Sequence, residues 1–379
     1  MTNPEMESLE AEEAFAEKMA LVYELPLREK IRHLRGLRIK HRNLEDVANR
    51  MLELLCPCND VSIISLAGVS GVGKSTLVFE LVADLLVSAD YGFPGGILPL
   101  SIPALKGQKT EASVVYDLAL DAINEKMKDQ KVAYEVIDGR IVMLPKREAK
   151  KVSAKQKEMM TALKNRQILA LALDEFFHLL RFGDQHATLD SIKSCADDCG
   201  PKIIIIGGFE MLEAVDGYAQ IQLRGSDLYL ARYGAKSGCP DDEKEEEGWH
   251  KEEKEAYSEI LVGIQNQWPY RERPNLAAHV DHFYTECLGN MRATKKLCAA
   301  LAQKQDANHG QWDDEYFSDC RLQSAKLARM KAEFEEQEER IRGFDDGWMA
   351  RDIVVDPPKK FPTSSQRGKE PATSRSQSR

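Results

Sequence analysis

Three short stretches of this chain, residues 61–67, 167–174 and 202–208, are apolar almost without a break. Runs of that length without polar alternation predict strands buried on both faces, as in a parallel sheet. A spacing of three and four residues between apolar positions instead predicts helices over 44–55, 76–86 and 113–123. The first of these stops at Cys56-Pro57, where proline cannot continue a helix. Residues 96–102 read as a short strand and 226–233 as a last core strand. Residues 134–142 alternate around Asp138-Gly139 and predict a small hairpin, inserted with its basic sequel before the strand at 167–174. From 255 to 304 three helical patterns are separated by Pro269/Pro274 and by Leu288-Gly289-Asn290. A charged helix follows over 321–342, with Glu336/Arg340 and Glu338/Arg342 at supportive spacing. Residues 1–25 read as an acidic helix, and the Pro, Ser, Thr and Lys content beyond Asp356 indicates a disordered tail. The pattern is that of an α/β protein, a parallel sheet flanked by helices with a smaller helical part behind it.

Chemistry enters at the end of the first apolar run. Gly68-Val69-Ser70-Gly71-Val72-Gly73-Lys74-Ser75 follows it directly and opens the helix pattern that begins at Thr76. Strand, glycine loop and helix in that order make a phosphate cradle. The glycines let successive backbone N–H groups turn inward, and the helix N-terminus adds partial positive charge. Gly68, Ser70, Gly71, Val72, Gly73, Lys74, Ser75 and Thr76 are the expected ATP contacts. Lys74 reaches the β and γ phosphates and the Ser75 hydroxyl holds Mg²⁺. The second apolar run ends in Asp174-Glu175. Asp174 is the expected partner of Mg²⁺ and Glu175 the group that polarises the attacking water. A buried strand meeting a solvated turn is the bland account of the same pair. His178, just beyond, either touches this site or packs beside Phe176 and Phe177.

Composition narrows the partners. The chain has 379 residues, 43% hydrophobic and 30% charged, long enough for two domains with appendages. No apolar run approaches a membrane span, and the acidic N-terminus is unlike a secretory signal, so a cytoplasmic protein with no membrane partner is expected. The eight cysteines are scattered; Cys56/Cys58 and Cys195/Cys199 lack zinc-ribbon spacing, and free thiols are the expectation. The net charge of −10 excludes a wholesale nucleic-acid coat. It is uneven, however: 28–42 carries seven basic residues against Glu29, and 146–157 carries six against Glu148, while 241–255 holds nine acids against three lysines. A local basic surface can still collect phosphates, although solvated helix faces account for such runs equally well.

A phosphate-loop core followed by a small helical lid is the layout of AAA+ ATPases. Residues from about 27 to 304 resemble TnsC, the ATPase regulator of bacterial transposons, and its relatives TniB and MuB. The stretches that carry the likeness come in the family's order: Asp174-Glu175-Phe176-Phe177-His178, then 189–195 leading into 203–212, then Gln222-Leu223-Arg224 with Arg232-Tyr233, and finally Gly289-Asn290-Met291-Arg292. The resemblance implies an AAA+ P-loop NTPase core with a small α-helical lid. It also implies ATP-driven self-assembly, as a ring or a helical filament, on duplex DNA. The assembly recruits a transposase, is fed by a target-selection protein, and is dismantled with the help of hydrolysis. Arg292 would sit in the lid over the γ-phosphate, and Arg224 or Arg232 would face a neighbouring subunit's nucleotide, unless either is an ordinary surface ion pair. Lys106 and Lys109 lie on a loop that related ATPases turn towards DNA; a solvated turn is the alternative. Two departures stand out. Gly207-Gly208 lacks the hydroxyl the family places after the first glycine, implying weaker or rearranged γ-phosphate sensing, and one arginine stands at 224 where relatives often carry two.

The expected organisation is an N-terminal helical and basic segment 1–59, an AAA+ nucleotide-binding core 60–235, an acidic connector 236–254, a helical lid 255–310, C-terminal helices 311–352 and a tail 353–379. Two other functions share the core. A replication-initiator or helicase-loader ATPase calls for an appended helix-turn-helix or helicase-docking segment. A signalling or anti-phage switch ATPase calls for a large effector or repeat domain.

Overall fold

The computed structural model describes residues 4–87, 96–104, 113–123, 134–137, 140–143, 152–182, 185–197, 200–234 and 251–349. Helices α1 (Pro4–Tyr23), α2 (Leu27–Gly36) and α3 (Arg42–Leu55) precede strand β1 (Ile63–Ala67). The helix after the glycine loop is built from α4 (Lys74–Thr76), a π-helical stretch Leu77–Val82 and α5 (Ala83–Val87). Then come β2 (Ile97–Ser101), α6 (Ser113–Ala122), the hairpin β3 (Tyr134–Ile137) and β4 (Arg140–Met143), α7 (Val152–Asn165) and β5 (Ala170–Asp174). Helices α8 (Phe177–Phe182) and α9 (Gln185–Asp197) lead to β6 (Lys202–Gly207), and α10 (Phe209–Asp216) and α11 (Ala219–Gln222) lead to β7 (Gly225–Tyr229). The rest is helical: α12 (Lys251–Asn266), α13 (Val280–Cys287), α14 (Met291–Ala307), α15 (Tyr316–Asp319) and α16 (Ser324–Met349).

The three apolar runs lie side by side in a five-stranded parallel sheet of order β2-β5-β6-β1-β7. Central β1 is buried at every position, and β6 at all but Lys202. Two strands are shorter than the apolar pattern implied. β5 starts only at Ala170, because Gln167 adopts a φ of 55° in the turn that follows α7. β7 stops at Tyr229, since Leu230 donates to Ala67 O and the chain then leaves the sheet, with Tyr233 N donating to Gly289 O. The hairpin forms where alternation placed it, with Ile137 opposite Arg140.

Two hydrophobic cores result. The first surrounds the sheet and takes in Leu44, Met51 and Leu55 of α3. The second joins α12, α13 and α14 around Tyr257, Trp268 and Phe283. It also takes Ile31 and Leu34 of α2 with Leu37, so the N-terminal segment divides between the two. On α16, Leu327, Met330 and Phe334 fall on one face and pack against the sheet's core. One turn further on that face, Glu338 is buried against Arg232; the side chains of Arg340 and Arg342 lie outside the described residues. Among the described residues, no helix is long and apolar enough to cross a membrane.

Candidate functional site

The parallel sheet sends β1, β5 and β6 towards the same end, so the loops after them converge. The loop after β1 turns at Gly71 (φ 82°) and Gly73 (φ 118°), left-handed conformations that favour glycine. A side chain at Gly71 is also excluded by space, because a Cβ there would stand 2.8 Å from Arg292 Cβ and 3.0 Å from Asn290 Oδ1. The lid therefore rests directly on the backbone of the glycine loop. Asn290 Nδ2 donates to Ser70 O at 2.8 Å and Arg292 N donates to Gly71 O at 3.0 Å. Asn290 Oδ1 accepts from Ala293 N at 3.2 Å, so one side chain both caps α14 and clasps the loop.

Below that clasp lies a cleft of about 690 Å³. Gly68, Ser70, Gly71, Gly73, Lys74, Ser75 and Thr76 line it from the loop, Asp174 and Glu175 from the tip of β5, and Arg292 from the lid. Ser75 Oγ donates to Asp174 Oδ2 at 2.6 Å, joining residues 99 positions apart. Lys74 Nζ donates to Gly68 O at 2.7 Å and to Val69 O at 3.1 Å. Burial pushes the Lys74 ammonium down to about 8, opposed by the charges of Asp174, Glu175 and Glu210 and reinforced by Arg292. Glu175 has a φ of 55°, a left-handed turn immediately after the strand, and its backbone N–H donates to Asp174 Oδ1. Both carboxylates reach one cleft because the chain has already left the sheet at that point.

Other expected residues fall elsewhere. Val72 belongs to the loop, but its side chain is buried in the sheet's core. His178 does not line the cleft; its Nδ1 bonds to Ile102 O at 3.0 Å and ties α8 to the end of β2. Arg232 does not present an open guanidinium to a neighbour. It is buried, with Nε and Nη2 donating to Glu338 at 2.6 and 2.9 Å and Nη1 to Leu288 O at 2.9 Å. Arg224 sits at the far end of the sheet, where its carbonyl accepts from Ser62 and Ile63 N–H at the start of β1. At about 3.3 Å per residue along β1, its backbone is roughly 17 Å from the glycine loop, out of reach of its own cleft. Lys106 and Lys109 lie outside the described residues. Cys56 and Cys58 meet Sγ to Sγ at 2.7 Å, and among the described residues no cluster of three or more His, Cys, Asp or Glu stands ready for a metal.

Five further residues line the cleft that the motifs did not name: Arg35, Glu210, Lys295, Lys296 and Gln337. Lys295 and Lys296 stand one turn beyond Arg292 on α14, a signal the helical spacing carries. Glu210 follows two positions after the Gly207-Gly208 strand end. Arg35 of α2 and Gln337 of α16 arrive from opposite ends of the chain, with no local pattern to announce them.

This chain has the parallel α/β fold of AAA+ P-loop proteins, with a glycine loop and two carboxylates facing one cleft. Its backbone is similar to that of the ORC2 protein of Aeropyrum pernix, solved as ADPNP-ADP complexes and in an ADP form. The TM-scores are 0.50 and 0.51 at 13% and 14% identity, covering 77% and 75% of this chain and 71% and 68% of those. At that identity the likeness is one of fold. By sequence, residues 106–235 match the family model described as bacterial TniB protein, so the resemblance to the TniB and TnsC ATPases is borne out over much of the core. No curated protein matches the chain.

Proposed function

We propose that this chain is an ATP-hydrolysing switch that assembles with copies of itself on duplex DNA, recruits a transposase and answers to a target-selection protein. The convergence of Lys74, the Ser75–Asp174 pair, Glu175 and the lid's Arg292 on one cleft supports the ATPase. The TniB match supports its place in transposition.

The cleft fits a triphosphate by its donors: turned-in loop N–H groups and Lys74 below, Arg292 above. Ser75 Oγ and the Asp174 carboxylate are adjacent hard oxygens, the donor set that suits Mg²⁺. Bound there, Mg²⁺ supplies neutralisation of charge on the β and γ phosphates. Glu175 takes a proton from the attacking water and aims its lone pair. Arg292 binds the γ-phosphate from the lid, so the lid's seat on the phosphate loop depends on what occupies the cleft. Arg224 acts on the nucleotide of another copy. Lys106 and Lys109 hold DNA phosphates without reading bases. The units of the machine are the core 60–235 and the lid 255–310, joined by the acidic connector.

DNA-stimulated ATPase assays on wild type and Glu175→Gln, with electron microscopy in a slowly hydrolysed ATP analogue, test this. Rings or filaments only with analogue and duplex DNA together, and loss of turnover in Glu175→Gln, are expected. Monomers throughout would overturn the reading. Capture of a transposase separates it from a replication initiator or helicase loader, and absence of any DNA effect would favour a signalling or anti-phage switch. Lys106→Ala with Lys109→Ala is expected to weaken duplex binding equally across sequences and to flatten its salt dependence.

A further inference from the structure

The tip of β6 brings no side chain to the cleft, because Gly207 and Gly208 stand where the strand ends and both line the cavity. Two residues later Glu210, in the first turn of α10, lines the same cavity. A Cβ placed on Gly208 would stand 2.8 Å from Glu210 Oε2. The carboxylate is thus folded back over the strand end, in the space a side chain at 208 would take. Its charge reaches Lys74 together with those of Asp174 and Glu175.

An ionised carboxylate is an acceptor only, and so are the oxygens of a γ-phosphate. Glu210 therefore cannot hold the phosphate; it can accept from a cation or from water. The cations lining the cleft, Lys74, Arg292, Lys295, Lys296 and Arg35, face a polyphosphate that attracts them more strongly than one carboxylate does. Of the donors in the cleft, water at the paired tips of β5 and β6 is the one that hydrolysis itself brings there, and Glu175 follows the neighbouring strand. We infer that Glu210 is a second acceptor for the attacking water, sharing its orientation with Glu175 and replacing the polar side chain that β6 lacks. The inference rests on the ATP-hydrolysis reading above.

The step balances as an ordinary phosphoryl transfer to water. The water oxygen bonds to the γ-phosphorus, the bond to the β–γ bridging oxygen breaks with its electron pair leaving on ADP, and one water proton passes to Glu175. Glu210 accepts the other O–H and keeps the lone pair aimed at phosphorus. Facing the γ-phosphate, its charge also weakens binding of ATP relative to ADP.

Glu210→Gln and Glu210→Asp in the full chain test this beside wild type and Glu175→Gln. Turnover is read as kcat and KM, and affinities for ADP and a non-hydrolysable ATP analogue are read by calorimetry. For Glu210→Gln, kcat is expected to fall by at least about tenfold, while the analogue binds several-fold tighter and ADP affinity stays put. Glu210→Asp, which keeps the charge but withdraws the oxygen, is expected to lose kcat without the tighter analogue binding. Unchanged kcat, or equal shifts for analogue and ADP, overturns the inference. If only the Glu210 variants behave as wild type, the ATPase reading stands and this inference alone fails. If wild type neither binds nor hydrolyses nucleotide, both fall.

Discussion

Arg232, just beyond the last strand, and Glu338, on the final helix, are each 6% exposed and meet in a two-pronged ion pair 106 positions apart in sequence. The same guanidinium donates to Leu288 O in the lid and stacks 5.6 Å from the Phe334 ring. Core, lid and C-terminal helix therefore share one cation. Burial pulls its pKa down, but Glu338 and Tyr284 more than offset this and hold it above the ordinary arginine value.

Removing one partner of such a pair strands a buried charge, at a cost of about 3–5 kcal/mol. Glu338→Ala is expected to release α16 rather than unfold the sheet, because the helix meets the sheet's core through a short apolar stripe, Leu327, Met330 and Phe334. Hydrogen exchange over 324–339 should speed up while β1 and β6 stay protected. Arg232→Met combined with Glu338→Leu should restore protection, which separates charge from packing.

Asn290 makes two side-chain bonds, one across an interface to Ser70 O and one to its own helix. Asn290→Ala loses the cap, about 1 kcal/mol, and the clasp on the phosphate loop. Faster nucleotide release and a higher KM for ATP are expected, with circular dichroism unchanged. Equal release rates in stopped flow would show that the clasp does not retain nucleotide.

Lys74 brings a pH dependence. With its ammonium held near 8 by burial, the free cleft loses this proton as pH rises through 8, whereas phosphates favour the charged form. ATP affinity is expected to hold up to about pH 8 and then fall, with proton uptake on binding seen by calorimetry in buffers of different ionisation heat. Lys74→Arg should remove the slope above pH 8.

His41 acts on stability from the acid side. Its imidazole is buried beside Lys295, bonded to Tyr233 OH at 2.9 Å, and its pKa is lowered from 6.5 to about 4, chiefly by burial. The unfolded chain binds this proton first, so stability is full above pH 6.5 and declines as pH falls towards 4. At about 1.4 kcal/mol per pH unit, the loss is about 3 kcal/mol. Urea midpoints between pH 7 and 4 should show it, and His41→Gln should flatten that part of the curve.

Much of this molecule is legible locally. Continuous apolar runs become the sheet because a parallel strand buries both faces, and the glycine loop and the Asp174-Glu175 pair are contiguous motifs whose spacing encodes their geometry. What could not be read is what arrives from afar. Nothing near Arg35 marks α2 as part of the lid's core, and nothing near Gln337 says that α16 walls the cleft. Helix spacing sets Glu338 beside Arg342 four residues on, and nothing near it announces the buried Arg232, 106 positions away, towards which it turns.

One consequence follows from β1 and β7 running the same way. Arg224 stands before the first residue of β7, whereas the glycine loop starts after the last residue of β1. With Arg224 serving another copy's cleft, as proposed above, the contact joins unlike surfaces of the two molecules. Repeated head to tail it makes a closed ring or an open filament, whereas a two-fold pair satisfies it only by making two such contacts at once and then stops growing.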